Sequence, residues 1–275
     1  MIIIDGKKVA EELLKELKVK IQSTGDKPVL NILQVGSNPA SNIYVKRKLM
    51  VADQIGINAN LFKFDDNIDE GKLLETINSL NKKRGGIILQ LPVSQNIDTF
   101  NVINAIDYRN DVDGLTCMNQ GKLFSGRPYI ISCTPLGVLK LLKYYNIEIS
   151  GKNVVILGRS LLVGRPLSQL LINENATVTV IHSFSKNIQS ITKNADILIS
   201  AIGKPNFIDD SFIKEWAVVI DVGISKIDGK IVGDVNFDKL KDKASFITPV
   251  PGGVGPMTVA CLMYNTFTLT HTNTI

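Results

Sequence analysis

Tyr44 and Lys48 stand four residues apart in the run V-G-S-N-P-A-S-N-I-Y-V-K-R-K at 35–48. On a helix that spacing puts both on one face. A ring beside an amine can stack a flat heterocycle and move a proton. The lysine does so only if burial or a neighbouring positive charge lowers its pKa, since it is otherwise protonated at neutral pH. A surface lysine whose stem lies on a half-buried tyrosine would use the same two residues and do no chemistry. Gln90 closes the apolar run Ile87-Ile88-Leu89. A buried amide there needs a partner, either a ligand or another protein group. Asp111 and Asp113 lie two apart in D-V-D-G-L. Three readings stay open for them: a metal site, with no third ligand nearby; two hydrogen bonds from an aminopyrimidine or guanidine-like edge; and an Asx turn.

A second kind of chemistry is written in K-N-V-V-I-L-G-R-S-L-L-V-G-R-P at 152–166. A β-branched run ends in Gly158, and Gly164 opens a helical pattern containing Leu167, Leu170 and Leu171. Strand, glycine turn and helix N-terminus together make a dinucleotide pyrophosphate site, with free N–H groups and the positive end of the helix dipole facing the phosphates. Ser160 occupies the second glycine position of G-x-G-x-x-G, so the bare pattern matches weakly, and a ligand-free βα turn is the alternative. The following strand, Thr177–Ile181, ends in His182-Ser183 where an NAD site carries an acidic residue, and Arg159 stands in the glycine loop. Neutral groups with an arginine suit a 2′-phosphate, so NADP is expected over NAD. Cys133 precedes Thr134-Pro135 with no histidine close in sequence, so a catalytic thiol is disfavoured.

These residues need a scaffold, and the 275-residue chain is long enough for one large or two medium domains. Hydrophobic residues make up 44% and charged residues 21%, as in ordinary globular proteins. The net charge of +5 comes without a block of Lys/Arg, so nucleic acid is not required and an acidic small ligand suits it as well. Three scattered cysteines and two histidines argue against a disulfide framework or a zinc site. No stretch approaches the ~20 apolar residues of a membrane span, and a cytoplasmic protein is expected.

In order, the pattern predicts a helix over 7–22, a strand over Val29–Val35, and a helix started by Asn38 and Pro39 that stops at Gly56. Then come a strand over 60–64, a helix over 70–82 and a strand over 86–91, a βαβαβ order that predicts a parallel sheet with ligands at the C-terminal strand ends. A helix begun by Thr134 as N-cap is expected to join two domains. Strands at Thr177–Ile181, 196–200 and 217–222 follow the glycine loop, with a hairpin turning at Asp228-Gly229. The apolar helix after 258 is expected to return to the first domain. The fold class is thus α/β with two domains: an N-terminal α/β catalytic domain over 1–131 and 257–275, and a Rossmann-like NADP-binding domain over 132–256.

These pieces in this order resemble the bifunctional methylenetetrahydrofolate dehydrogenase/cyclohydrolase family across nearly the whole chain. The likeness is carried by 35–48, Q-L-P at 90–92, D-V-D-G-L at 111–115, C-T-P at 133–135, G-R-S-L-L-V-G-R-P at 158–166, D-V-G-I at 221–224 and G-D-V at 233–235. T-P-V-P-G-G-V-G-P-M-T at 248–258 is the most specific segment. The resemblance implies Lys48 as the catalytic lysine, Tyr44 packing on the folate ring, Gln90 tuning the lysine and Asp113 anchoring the pterin's amino edge. It places Gly255 and Thr258 near folate and nicotinamide. It makes Gly158, Arg159, Ser160, Gly164, Ser183 and Ile224 NADP contacts, with Arg159 and Ser183 at the 2′-phosphate. It further implies a homodimer acting on tetrahydrofolate derivatives, with no metal, and a link to purine biosynthesis. Val93-Ser94 replace the family's usual Leu-Pro after Q-L-P, which could loosen the rim of the folate site, and Ser132 replaces a frequent proline. A dehydrogenase without the hydrolytic step, a non-catalytic binding protein and another two-domain dehydrogenase are all disfavoured by Lys48 with Gln90, by Asp113 and by the 248–258 motif.

Overall fold

Apolar runs rich in β-branched residues, such as Val29–Val35 and Asn153–Leu157, become parallel strands here, and the amphipathic runs between strands become crossover helices. The computed structural model describes residues 1–25 and 27–272. The chain begins with β1 (Ile2–Ile3), α1 (Gly6–Thr24), β2 (Val29–Val35), α2 (Pro39–Ile55), β3 (Asn58–Phe64), α3 (Glu70–Asn81) and β4 (Gly86–Gln90). Short helices α4 (Thr99–Ala105) and α5 (Cys117–Phe124) follow, then α6 (Cys133–Tyr144). The second half holds β5 (Asn153–Leu157), α7 (Gly164–Asn173), β6 (Thr177–Ile181), α8 (Ile188–Thr192), β7 (Ile197–Ser200) and β8 (Val218–Asp221). It ends with β9 (Ser225–Ile227), β10 (Lys230–Val232), α9 (Phe237–Leu240), β11 (Phe246–Ile247) and α10 (Val254–Thr272).

The chain divides into two compact units. One joins Glu12–Cys133 to the chain from Val259 onward. Its three-stranded parallel sheet has the order β3-β2-β4. Leu33, Val35, Ile87 and Leu89 from the strands pack with Leu73, Ile77 and Leu80 of α3. In this unit Asn265 of α10 donates to the carbonyls of Val112 and Ile131, both at 2.9 Å. The expected return of the last helix to the first domain is therefore seen from Val259 on.

The other unit joins Met1–Glu11 to Thr134–Thr258. Its six-stranded sheet, order β1-β11-β8-β7-β5-β6, is parallel throughout, and a two-stranded β9–β10 hairpin lies beside it. Asp228 and Gly229 form the hairpin turn with φ of 47° and 80°, as the Asp-Gly pair predicts. The first eleven residues count with this unit, where the sequence grouped them with 12–131. The reason is local: β1 pairs with β11, and Lys7 N–H donates to the Gly252 carbonyl at 2.9 Å. At Gly6 a Cβ would stand 1.9 Å from the Gly253 carbonyl oxygen, so only glycine admits that approach. Thr134 is not the N-cap of α6; the helix starts at Cys133, and the Thr134 hydroxyl lies 3.0 Å from that of Thr258.

Candidate active site

The lysine half-site is built on α2. Asn38 caps the helix by accepting from the N–H groups of Ala40 and Ser41 at 3.0 and 3.2 Å, Pro39 fills the first turn, and Gly56 ends it in the left-handed conformation at φ 89°. Lys48 therefore falls in mid-helix, on the buried stripe with Val45, Val51 and Ala52, and is only 8% exposed. Its Nζ donates to Gln90 Oε1 at 2.9 Å, at the C-terminal end of β4. The Gln90 amide is aimed by its other end, because Nε2 donates to the Leu91 carbonyl at 2.7 Å; Ser41 Oγ reaches the same carbonyl at 3.4 Å. Burial lowers the Lys48 pKa, and the charge of Asp113 partly opposes this. A desolvated amine holding one neutral acceptor gives up its proton more readily than a solvated lysine. Tyr44, one turn earlier, is 36% exposed.

The two aspartates of D-V-D-G-L separate cleanly. Asp111 is the turn residue: its carboxylate accepts from Gly114 N–H at 2.9 Å, Thr116 N–H at 2.8 Å and Asn119 Nδ2 at 2.9 Å. Burial pushes its pKa up while these bonds oppose the rise. Asp113 acts by its charge on Lys48 and, by charge and a side-chain hydrogen bond, on Cys133. The loop is pinned at Gly114, φ 66°, where a Cβ would come within 2.8 Å of the Ser132 nitrogen. Ser132 Oγ donates to the Gly114 carbonyl at 3.1 Å and accepts from Gln120 Nε2 at 3.0 Å. Burial holds the Cys133 thiol well above its usual range, so it stays protonated and is a poor nucleophile.

The dinucleotide half-site lies in the other unit, where β5 ends in Gly158. At φ 112° a Cβ there would meet the Ala201 carbonyl oxygen at 2.4 Å, and one on Gly164 would meet the Gly158 carbonyl oxygen at 2.0 Å. Gly158 thus lets the backbone turn tightly, and Gly164 lets α7 start directly beneath it. Ser160 Oγ accepts from the N–H groups of Val163 and Gly164 at 3.2 and 3.5 Å, which explains a serine at the second glycine position. A cleft of about 300 Å³ opens here, lined by Gly158, Arg159, Ser160, His182, Ser183 and Lys204 with Ile188, Ile202 and Phe207. The Arg159 guanidinium lies 5.8 Å from the Phe184 ring centroid. No carboxylate is among the lining residues. Two cations and a serine hydroxyl with no acid fit a 2′-phosphate, and the apolar side chains fit an adenine ring.

Ile224, Gly255 and Thr258 do not line that cleft. They form a separate group in which a Cβ on Gly255 would stand 3.7 Å from Ile224 Cδ1, with Thr258 in the next turn of α10. The loops around them are fixed by two buried carboxylates. Asp221 accepts from the N–H groups of Gly223, Asp234 and Val235 at 2.9, 3.0 and 2.8 Å, and burial raises its pKa to about 6. Asp234 accepts from Ser200 Oγ at 2.9 Å and from the N–H groups of Ile202 and Lys204 at 2.8 Å each.

Residues 4–113 match the family model for the tetrahydrofolate dehydrogenase/cyclohydrolase catalytic domain, and residues 132–274 match the model for the NAD(P)-binding domain of the same family. The chain belongs to the tetrahydrofolate dehydrogenase/cyclohydrolase family. It is 50% identical over 270 residues to a "Bifunctional protein FolD" of Hydrogenobaculum sp., covering 97% of each chain. Its fold is similar to the bifunctional FolD methylenetetrahydrofolate dehydrogenase/cyclohydrolase of Campylobacter jejuni, at TM-score 0.97 and 41% identity over 99% of each chain. It is also similar to the FolD of Trypanosoma brucei, solved with NADP cofactor and an inhibitor, at TM-score 0.94 and 36% identity, covering 99% of this chain and 98% of that one.

The departures from the family's usual sequence find ordinary places. Val93 packs on the core beside β4, Ser94 Oγ donates to Asp66 at 3.4 Å, and Ser132 ties down the Asp113 loop. Sequence reasoning missed Ser41, Asp234 and Lys204. Ser41 and Asp234 act through backbone groups brought in from distant segments. Lys204 had a signal, since it follows the C-terminal end of β7, where a parallel sheet presents its ligands.

Proposed function

We propose that Lys48 and Gln90 carry the hydrolytic step that follows the oxidation of the folate, with Tyr44 and Asp113 holding the folate. Gly255 and Thr258 complete the substrate's surroundings, and Gly158, Arg159, Ser160, Gly164, Ser183 and Ile224 hold NADP. The chain oxidises 5,10-methylenetetrahydrofolate to the 5,10-methenyl cation and hydrolyses that product to 10-formyltetrahydrofolate. NADP⁺, when bound, supplies the hydride acceptor for the first step. The protein's own part there is to fix the ligands in reacting geometry: Asp113 by accepting from the pterin's amino edge, Tyr44 by packing on its ring, Arg159 and Ser183 by holding the 2′-phosphate.

In the second step water adds to the cationic carbon between N5 and N10. The adding oxygen sheds both of its protons on the way to the formyl carbonyl; N5 gains one as its bond to that carbon breaks, and the other leaves to solvent. The Lys48 amine takes the first proton from oxygen and returns one to N5, the second oxygen proton passing to water as the carbonyl forms, while Gln90 accepts a hydrogen bond from the amine and keeps it aimed. The observation that carries this reading is the 2.9 Å Lys48–Gln90 contact around a lysine whose pKa burial has lowered.

The reading extends to a homodimeric, cytoplasmic enzyme supplying formyl groups to purine biosynthesis, with no need of nucleic acid. Its support is the family likeness and the net charge of only +5; among the described residues no helix is long and apolar enough to cross a membrane. The test is Lys48→Met. Hydrolysis of methenyltetrahydrofolate, followed by its absorbance, should fall by on the order of 10²–10⁴-fold while the NADP⁺ dissociation constant is unchanged. Undiminished hydrolysis would refute the assignment.

A further inference from the structure

The sheet order β7-β5-β6 sets the loops after β6 and β7 on either side of the glycine loop. Arg159 and Ser183 come from the glycine loop and the β6 side, and Lys204 comes from the β7 side of the same cleft. We infer that Lys204 is a further cofactor-binding residue, a second cation that recognises the 2′-phosphate of NADP. The inference rests on the reading of this cleft as the adenosine site and names a residue that reading did not contain.

The backbone at Lys204 is held in place. Asp234, fully buried, accepts from the N–H groups of Ile202 and Lys204, both at 2.8 Å, and so fixes the start of the loop that carries the side chain. Room for that carboxylate exists because residue 223 is glycine; a Cβ there would come within 2.2 Å of Asp234 Oδ1. The D-V-G-I and G-D-V segments, which touch no catalytic residue described above, thereby acquire a role in setting the wall of the cleft. Above this fixed backbone the Lys204 ammonium lies 5.5 Å from the Phe207 ring centroid. Among the described residues no carboxylate forms an ion pair with Lys204 or Arg159. A phosphate monoester carries close to two negative charges and three acceptor oxygens, more than one guanidinium and one hydroxyl satisfy. Phe207 and Ile202 offer an apolar bed for the base beside it.

A lysine that merely lies on Phe207 would make the same contact, and cofactor discrimination separates the two. KM for NADP⁺ and for NAD⁺ is measured with the full chain at saturating methylenetetrahydrofolate for Lys204→Ala, Lys204→Arg and Arg159→Ala. Lys204→Ala should raise KM for NADP⁺ about tenfold and leave KM for NAD⁺ within about twofold, the size of one charge-assisted contact in a solvent-accessible cleft. Lys204→Arg should restore most of the preference, and added salt should shrink the difference. An equal rise for both cofactors, or no change, overturns the inference. Arg159→Ala reports on the underlying reading. If it leaves the NADP⁺ preference intact, the cleft is not the 2′-phosphate site and both readings fall; if it removes the preference while Lys204→Ala does not, only Lys204 is misassigned.

Discussion

Replacing Gln90 by leucine removes the acceptor that Lys48 holds at 2.9 Å and leaves the amine in the same buried surroundings. The charged form of Lys48 loses more than the neutral form, because a hydrogen bond from an ammonium is stronger than one from an amine. With charged bonds near 1.5–3 kcal/mol and neutral ones near 1, the difference is about 1–1.5 kcal/mol, or roughly tenfold in the protonation equilibrium toward the neutral amine. Burial already pushes the equilibrium that way, and Asp113 still opposes it. The acid limb of the cyclohydrolase pH–rate profile should therefore move to lower pH in Gln90→Leu. The plateau should fall as well, since the amine is no longer aimed. Gln90→Glu, which places a carboxylate at the same atom, should move the limb to higher pH. The assay is the decay of methenyltetrahydrofolate absorbance across pH, with the uncatalysed rate subtracted. A limb at the same pH in both variants, or one that persists in Lys48→Met, would show that the titrating group is not Lys48.

Two other outcomes follow from the dinucleotide unit. Gly158→Ala must place a Cβ 2.4 Å from the Ala201 carbonyl at φ 112°, so it should cost about 1–3 kcal/mol in backbone strain alone and lower Tm; a variant melting at the wild-type temperature would contradict the geometry. Asp221 has a folded pKa of about 6 against an ordinary 3.8, so between those values the folded chain holds a proton the unfolded chain has released. Stability from this group is then largest at low pH and declines as pH rises through that window, by at most about 3 kcal/mol. Asp221→Asn should flatten that part of the Tm–pH curve, and a variant curve parallel to wild type would remove Asp221 as the cause.

The sequence made the parallel strands legible because their β-branched runs are bounded by glycines and caps. Val29–Val35 and Thr177–Ile181 are found at their expected limits, and Asn38 with Gly56 frames α2 as expected. The short helices α4, α5, α8 and α9 run 4–8 residues, less than the window over which helical periodicity shows, and went unseen. β1 was missed for another reason: two residues carry no period, and their partner lies at 246–247. At the site, Lys48 and Gln90 could each be singled out by type and position, but their contact spans 42 residues and is settled only by the parallel pairing of β2 with β4 and the packing of α2. The choice between Asp111 and Asp113 was also beyond spacing. It turns on which carboxylate the backbone of 114–116 consumes.

The pairing of β1 with β11 bears on the order in which the protein can be assembled. Ile2 and Ile3 are made 244 residues before their strand partners Phe246 and Ile247. Until those partners are made β1 has no neighbour, and β8 keeps the edge that β11 will later cover exposed to the medium. A chain arrested before residue 246 would carry every residue of the lysine half-site and the whole 300 Å³ cleft lining, but with an open sheet edge inviting association with other chains. A truncation between β8 and β11 thus spares the residues of both half-sites and still opens the sheet.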